Sequence, residues 1–301
     1  SSLRQKGFNP HLLVMTATPI PRTLALTFFG DLDLSILDQM PPGRKPVKTR
    51  WLNPEDRNKA YAFIQGKINE GQQAFIICPR IEESDNIDDE GGRADLESDS
   101  NRREIRAAIA EYERLSRDVF PEIRIGLLHG KMPASAKESV MRSFKNGEIK
   151  ILVSTSVVEV GIDVPKATVM LVEGAENFGL SQLHQFRGRI GRGTVQSYCL
   201  LLSDSTSPEA QERLSIIEKV HDGFILAEED LKLRGPGEFF GTRQSGMPDL
   251  TMAKLSDTAL LEKARHEALE IFKVDPQLTS DKYSLLSKRV KEIWKVEGEL
   301  S

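Results

Sequence analysis

The sequence predicts an α/β fold, in which a parallel sheet carries helices on both faces and is followed by a helical hairpin and a glycine-rich loop. Short apolar runs alternate with segments of helical periodicity from about Trp51 to Ser203. Strands that are separated by helices of this length form β-α-β units with parallel strands. Beyond residue 205 the pattern becomes helical and then dense in glycine. In such sheets, ligand sites lie in the loops at the carboxyl ends of the strands.

The sheet region begins with a predicted helix that has Asn53 as its cap, Pro54 in its first turn and Gly71 as its stop. Its apolar residues recur at helical spacing and are expected to face the core: Ala60, Ile64 and Ile68. Two further helices are predicted over 103–120 and 132–147. The predicted strands are 74–78, 122–130, 149–155, 167–174 and 197–203.

The two ends of the chain differ from this pattern. Residues 1–45 offer two strands and a helix without completing a domain, and "MPPGRKPVK" (40–48) is typical of a stiff linker. We therefore expect 1–45 to be the tail of a preceding domain. At the other end one helix starts at Ser207 and a second covers 222–235. After a glycine-dense loop, a last amphipathic helix spans 257–273.

The composition is that of a globular chain without a membrane segment. Of the 301 residues, 39% are hydrophobic and 29% charged, and no apolar run approaches the roughly 18 residues of a membrane span. The first residues lack a secretory signal pattern, and their abrupt start suggests a piece of a longer protein. Both cysteines, Cys78 and Cys199, lie in apolar runs, so we expect buried free thiols in a reducing cytoplasm. Five scattered histidines give no metal-ligand spacing.

Charge does not decide for or against a nucleic-acid partner. The formal net charge is −4, but the segment 82–104 holds ten carboxylates against three arginines. This segment is poor in apolar residues and is predicted to be a mobile surface loop. The remainder of the chain is then slightly basic.

The run "HQFRGRIGRG" (184–193) interleaves three arginines with three glycines. Guanidinium forks grip phosphate oxygens, and glycine lets the backbone approach them closely, so the run is a candidate polyphosphate site. The alternative is an exposed helix end, where arginine suits the last turn and glycine the position after it.

Four loop motifs stand in order along the chain. They are "TATP" (16–19), "HGKM" (129–132), "STSVVEVGIDVP" (154–165) and "QFRGRIGRG" (185–193), the last of which we expect to open a helix. As an ordered set they resemble motifs III, IVa, V and VI of superfamily 2 helicases. The resemblance implies a RecA-like fold, two copies of which clamp ATP between them and move along nucleic acid.

Two longer stretches narrow the resemblance. "TATPIPRTLALTFFGDLDLSILDQMPPGRKPVKTR" and "DLKLRGPGEFFGTRQSG" are similar to segments of the bacterial translocases that remodel branched DNA at stalled replication forks. The second stretch resembles the TRG motif, which the transcription-repair coupling factor shares. The linker-like "GDLDLSILDQMPPGRKP" favours the fork-remodelling group. The resemblance covers roughly residues 10–270.

The resemblance implies an ATP-binding role for five residues. Arg189 and Arg192 match the arginines that reach across the domain cleft to the γ-phosphate, where a guanidinium accelerates hydrolysis by on the order of 10³–10⁵. Asp163 matches the carboxylate that contacts the ribose, with Gly161 as a turn beneath it. Gln185 matches the position that senses the nucleotide state. By contrast, Arg187 lies outside the matched pair, and a surface or DNA-facing charge is an equal alternative for it.

The resemblance also implies nucleic-acid contacts that position a strand without reading its sequence. Thr155 matches a hydroxyl that bonds a phosphate, and the alternative is a buried strand-end threonine. Gly130 and Lys131 are candidates to meet phosphate. Their neighbour His129 is read as a satisfied strand-end histidine.

Coupling between ATP and DNA is implied for residues outside the sheet loops. Thr16 and Thr18 match motif III, although they would also cap the helix that follows. Arg213, Arg234 and Gln244 match the two hairpin arginines and the loop glutamine that convert ATP-driven movement into duplex translocation. The alternative for this last region is a flexible surface loop.

The chain has neither a GxxxxGK[ST] phosphate loop nor an acidic magnesium box. The resemblance thus implies a carboxyl-terminal portion that needs a missing first motor domain to bind ATP and Mg²⁺, and no metal site of its own. The expected parts are the remnant and linker (1–45), the second motor domain (46–205), the TRG hairpin and loop (206–250) and a helical extension (251–301). The expected partner is branched double-stranded DNA, bound by a cytoplasmic, nucleoid-associated bacterial monomer.

Two other functions stay open at this point. The same region of a transcription-repair coupling factor would act on duplex DNA behind a stalled RNA polymerase. A non-catalytic nucleic-acid-binding module could use a degenerate motor fold as a scaffold. Intact Arg189 and Arg192 argue against the second alternative, because such a module has no use for a γ-phosphate clamp.

Overall fold

The computed structural model describes residues 41–78, 105–155, 164–234 and 258–298, with a few isolated positions (13, 15, 16, 35–37 and 39) before them. These residues belong to two compact units. The larger unit contains the described residues from 35 to 234, and the smaller contains positions 13, 15 and 16 and residues 258–298. The elements predicted within 17–34, the acidic segment 82–104 and the glycine-dense loop after residue 234 lie outside the described residues.

The described part of the larger unit is built on a six-stranded sheet in which every pair of neighbouring strands is parallel. The strand order is β1-β6-β5-β2-β4-β3. The strands are β1 (Lys48–Leu52), β2 (Gln73–Ile77), β3 (Ile125–Leu128), β4 (Ile151–Ser154), β5 (Ala167–Val172) and β6 (Tyr198–Leu202). The predicted parallel α/β fold is therefore confirmed.

Strand β1 was not predicted, because it lies at the end of the segment read as a linker. Its sequence, KTRWL, has three polar residues before two apolar ones and so forms no apolar run, although Thr49 is buried between exposed Lys48 and Arg50. This pattern fits an edge strand, and β1 pairs only with β6 in the described sheet.

The helices of the larger unit are α1 (Arg57–Asn69), α2 (105–114), α3 (Ala134–Lys145), α4 (Leu180–Arg187), α5 (Pro208–Lys219) and α6 (Gly223–Arg234). Helix α2 continues into a π-helical turn, Leu115–Val119. The smaller unit contains α7 (Thr258–Val274) and α8 (Ser284–Gly298). Asn53 precedes a 3-10 turn, Pro54–Asp56, but its side chain makes no capping hydrogen bond. None of the described helices is long and apolar enough to cross a membrane.

Apolar residues on the two faces of the sheet form two cores. In β2, Phe75 and Ile77 face one core, whereas Ala74 and Ile76 face the other, as the two-residue period of a strand requires. Helices α3, α4 and α5 supply the first core, and α1 and α2 supply the second. The predicted inner face of the first helix, Ala60, Ile64 and Ile68, is confirmed as buried.

Candidate functional site

The carboxyl ends of β2, β4 and β3 lie side by side and bring two of the predicted loops together. The amide of Thr155, just after β4, donates a hydrogen bond to the carbonyl of Leu128 at the end of β3 (3.3 Å). The HGKM loop follows Leu128 directly, and Gly130 and Lys131 are exposed there. Thr155 itself is only 2% exposed. Its surroundings in this conformation are those of a buried strand-end threonine, and its contact with nucleic acid stays a prediction.

A second lysine stands at the same loop. Lys137, in the first turn of α3, donates its ammonium to the carbonyl of Gly130 (2.6 Å), so two cationic side chains flank the turn. Burial, together with the charges of Lys137 and Lys131, lowers the pKa of His129. The Nδ1 atom of His129 is buried and has no hydrogen-bond partner among the described residues. The expectation of a satisfied strand-end histidine is therefore not supported for this ring nitrogen.

The arginine loop, residues 188–193, lies at the other end of the strands, where they begin. Helix α4 starts after β5 and runs back across the sheet, so its C-terminal end reaches the amino ends of the strands. A Cβ placed on Gly191 would lie 2.8 Å from Cγ2 of Val47, immediately before β1, and one on Gly193 would lie 3.4 Å from the carbonyl of Pro165, before β5. The expectation that this motif opens a helix is wrong: the motif closes α4. The alternative interpretation of the run, a helix end, is correct about where the motif lies.

The backbone of the arginine loop has a defined conformation. Gly191 has a φ of 74°, a left-handed conformation that suits glycine. The side-chain amide of Gln196 donates to the carbonyl of Pro46 (2.8 Å), and the amide of Lys48 donates to the carbonyl of Ser197 (2.9 Å). The residues between the loop and β6 are thus bonded to the residues at the start of β1. Gln185, Arg189 and Arg192 are all half-buried around this loop, which leaves part of each side chain accessible.

Arg187 has a different environment from its two neighbours in the motif. It is 5% exposed, and the alternative of a surface or DNA-facing charge is wrong. Its guanidinium donates to three carbonyls at the end of α5: Ile217 (3.0 Å), Val220 (2.8 Å) and His221 (3.2 Å). Burial lowers its pKa, but an arginine remains charged at neutral pH. A sequence signal existed, because Arg187 follows the buried Leu183 by four residues and Leu180 by seven.

Helices α5 and α6 form the predicted helical hairpin and pack against α4. Asp222 caps α6, because its carboxylate accepts from the amides of Phe224 (2.7 Å) and Ile225 (3.1 Å). Of the coupling residues, Arg213 is half-buried on α5. Arg234 is the last residue of α6, and its side chain lies outside the described atoms.

Five predicted residues cannot be placed in a site by this structure. Thr16 lies at an exposed position without regular secondary structure. Thr18, Gly161, Asp163 and Gln244 lie outside the described residues. The roles that the resemblance implies for these five residues stay predictions.

A buried polar network at the carboxyl ends of β2, β5 and β6 was missed by the sequence reasoning. The carboxylate of Glu173 pairs with Arg57 (2.7 Å) and accepts from the hydroxyl of Tyr61 (2.9 Å), and Arg114 pairs with Glu111 (2.6 Å). Burial raises the pKa of Glu173 and that of Tyr61, the latter to about 12. The network borders a cavity of about 450 Å³, and no predicted site residue is among the described residues that line it.

No group of His, Cys, Asp and Glu side chains that could hold a metal ion occurs in the described part of the chain. The two cysteines, Cys78 and Cys199, are buried and free, as predicted.

Two known families match this chain, one over most of the sheet and the arginine loop and one from the hairpin turn onward. The family described as "Helicase conserved C-terminal domain" matches residues 57–194. The family described as "ATP-dependent DNA helicase RecG, domain 3, C-terminal" matches residues 220–300. The sheet, the arginine loop and the first match define a RecA-like helicase C-terminal domain.

Relatives identify the group within the helicases. The chain is 48% identical to the ATP-dependent DNA helicase RecG of Synechocystis over 92% of this chain and 32% of the relative. It is 44% identical to that of Bacillus subtilis over 99% of this chain and 41% of the relative. A structure of RecG bound to a three-way DNA junction matches with 44% identity and a TM-score of 0.61, over 82% of this chain and 30% of that one. The chain is thus homologous to RecG helicases over most of its length, and it spans less than half the length of these relatives.

Proposed function

We propose that this chain is the carboxyl-terminal motor portion of an ATP-dependent DNA helicase that remodels branched DNA, such as stalled forks and Holliday junctions, in recombination and repair. The observation that carries the proposal is the arginine loop at the end of α4, joined to a hairpin that resembles the TRG motif. The RecG relatives, one of them solved with a three-way DNA junction, favour this function over a transcription-repair coupling factor.

The arginine loop suits a polyphosphate. Arg189 and Arg192 are both half-buried, so part of each residue remains accessible beside the loop. Gly191 has no side chain, so the backbone between the two arginines can pack closely against Val47, which any larger residue would contact. ATP supplies the phosphoanhydride bond that is hydrolysed. The two arginines would neutralise charge on its terminal phosphate, with Gln185 reading the nucleotide state and Gly161 and Asp163 holding the ribose.

The carboxyl-edge loops suit a phosphate backbone at a second site. Exposed Lys131, together with Lys137 bound to the Gly130 carbonyl, concentrates positive charge at the HGKM turn. Thr155 lies beside this turn at the adjacent strand end. Contacts of this type bind nucleic acid through its backbone and are sensitive to salt. The two proposed sites are then at opposite ends of the strands of one sheet.

The proposed division is a remnant and linker (1–45), a second motor domain (46–205), a TRG hairpin and loop (206–250) and a helical extension (251–301). ATP and Mg²⁺ would require the first motor domain of the longer protein, which supplies the phosphate loop and magnesium ligands. Thr16, Thr18, Arg213, Arg234 and Gln244 would couple nucleotide state to DNA movement. We place the longer protein as a monomer in the bacterial cytoplasm, associated with the nucleoid.

The test is the ATPase activity of the 301-residue chain, measured with and without branched DNA. The proposal expects negligible turnover from this chain and DNA-stimulated turnover when the longer protein that contains it is assayed. DNA binding by the chain should be weak and should fall steeply with salt. Robust DNA-stimulated turnover by the chain alone would refute the proposal.

A further inference from the structure

Arg187 is a buried cation whose hydrogen-bond partners among the described residues are main-chain carbonyls. Its three acceptors, in Ile217, Val220 and His221, belong to the last turn of α5 and to the residues that lead into α6. In the described part of the chain, Arg187 makes no salt bridge to a carboxylate. The carbonyls at a helix C-terminus lack intrahelical partners and carry partial negative charge. They can therefore compensate a buried guanidinium.

A second bond joins α4 to the other helix of the hairpin. The hydroxyl of Ser181 donates to the carboxylate of Asp230 on α6 (3.1 Å), and Asp230 is 7% exposed. Ser181 lies at the start of α4, whereas Arg187 is its last residue. Helix α4 is thus attached to α5 through one of its ends and to α6 through the other.

The three carbonyls are arranged so that one side chain sets the geometry of the hairpin turn. Val220, His221 and Asp222 connect the two helices, and Asp222 caps α6. The guanidinium fork spans the end of α5 and this connection at once. A lysine is a point charge without a planar fork and cannot hold both groups in the same way.

We propose that Arg187 is a positioning residue that fixes the α5–α6 hairpin to helix α4, so that a displacement of the arginine loop is transmitted to the hairpin as a rigid movement. The proposal rests on the proposed function for the moving parts, since Arg189 and Arg192 belong to the loop that begins right after Arg187. The attachment itself concerns only this chain. Arg187 makes no contact with nucleotide or DNA in this scheme.

The attachment is tested in the 301-residue chain by amide hydrogen exchange. Arg187→Met should speed the exchange of the amides of α6 and of the end of α5 by on the order of 10-fold or more, while amides of β5 keep their rates. The control is Arg117→Met, which removes an exposed arginine that pairs only with its neighbour Asp118. Unchanged exchange in the hairpin, or an equal increase across the whole sheet, would overturn the proposal.

A milder variant keeps the test decisive if Arg187→Met does not fold. Ser181→Ala removes only the second bond and should speed exchange several-fold in α6, with α5 unaffected. Arg187→Lys should fall between the wild type and Arg187→Met. Hairpin exchange rates equal to those of the wild type in both variants would contradict the proposed attachment.

The transmission is tested in the longer protein by the number of forks converted per ATP hydrolysed. Arg187→Lys should lower this ratio about 10-fold while DNA-stimulated ATPase changes less than threefold. A purely structural role would reduce both activities in parallel and would overturn the proposal. If the wild-type longer protein shows no DNA-stimulated ATPase, the proposed function fails instead, and the exchange result still decides the attachment.

Discussion

Replacing Gly191 by alanine should destabilise the larger unit by about 2–5 kcal/mol. Gly191 has a φ of 74°, where an L-residue with a side chain is strained by roughly 1–2 kcal/mol. The new Cβ would also lie 2.8 Å from Cγ2 of Val47. Contacts that close force side chains or backbone to shift, which costs about 1–3 kcal/mol in a packed site. The two contributions together give the expected range.

A second glycine separates these two contributions. Gly147, after α3, has nearly the same φ, 78°, but a Cβ placed there meets only the end of Lys150 at 3.9 Å. Gly147→Ala should therefore show the backbone strain alone, about 1–2 kcal/mol. Val47→Ala combined with Gly191→Ala should recover most of the difference, because it removes the opposing methyl group.

The assay is a urea titration of the 301-residue chain followed by far-ultraviolet circular dichroism. The midpoints should rank wild type above Gly147→Ala, and Gly147→Ala above Gly191→Ala, at equal slopes. Equal midpoints for the two single variants would refute the close packing of the arginine loop against the residues before β1. A Gly191→Ala chain as stable as the wild type would refute the left-handed conformation as well.

Three further predictions concern pH, thiol reactivity and coupling. Burial, then the charge of Arg187, lowers the pKa of His184 from its ordinary 6.5 to about 4, so the unfolded chain binds a proton more readily between those values. The free energy of unfolding should thus fall by up to about 3 kcal/mol as the pH drops through this window. This loss should be absent in His184→Asn. Parallel pH profiles of unfolding free energy for the wild type and His184→Asn would contradict the prediction. Burial raises the pKa of Cys78 and that of Cys199, the latter to about 12. A thiol reagent at pH 8 should therefore label both cysteines only when urea unfolds the chain. Rapid labelling of the folded chain would disprove their burial. In the longer protein, Arg234→Ala and Gln244→Ala should retain DNA-stimulated ATPase but lose fork conversion; an equal loss of both activities would place these residues in the chemistry or in folding.

Hydrophobic patterning predicted the sheet because its inner strands are buried on both faces. Strand β2 and strand β5 are fully buried, and each stands out as an apolar run between helical segments. Strand β1 was missed for the same reason: Lys48 and Arg50 are exposed at the edge of the sheet, and their charge hides the strand within a linker-like sequence. Tertiary pairing with β6, which no local pattern encodes, makes these residues a strand.

The residues of the arginine loop could be recognised from the sequence, but their position in the fold could not. The arginine–glycine run suggested phosphate binding, but whether it opens or closes a helix depends on where α4 ends, and helix boundaries are weakly encoded. Arg187 illustrates the limit most clearly. Its spacing from Leu180 and Leu183 marks a buried position, whereas its charge suggests a surface one. The outcome depends on carbonyls 30–34 residues further along the chain, which no local pattern reveals.

The polar network around Glu173 was hidden for a related reason. Its members come from α1, α2 and the end of β5, and none belongs to a recognisable motif. Burial of a carboxylate requires charged or hydrogen-bonding partners, and here Arg57 and Tyr61 provide them. Only the folded topology brings these residues together.

The central claim, that the arginine loop acts on the terminal phosphate of ATP, is tested most directly by one kinetic measurement. In the longer protein that contains this chain, Arg192→Ala should reduce DNA-stimulated ATP turnover by on the order of 10³ or more, while nucleotide affinity stays within several-fold of the wild type. Arg117→Ala serves as the control for loss of an exposed arginine and should keep its turnover. Near-normal turnover of Arg192→Ala would contradict the claim and make the arginine a surface charge.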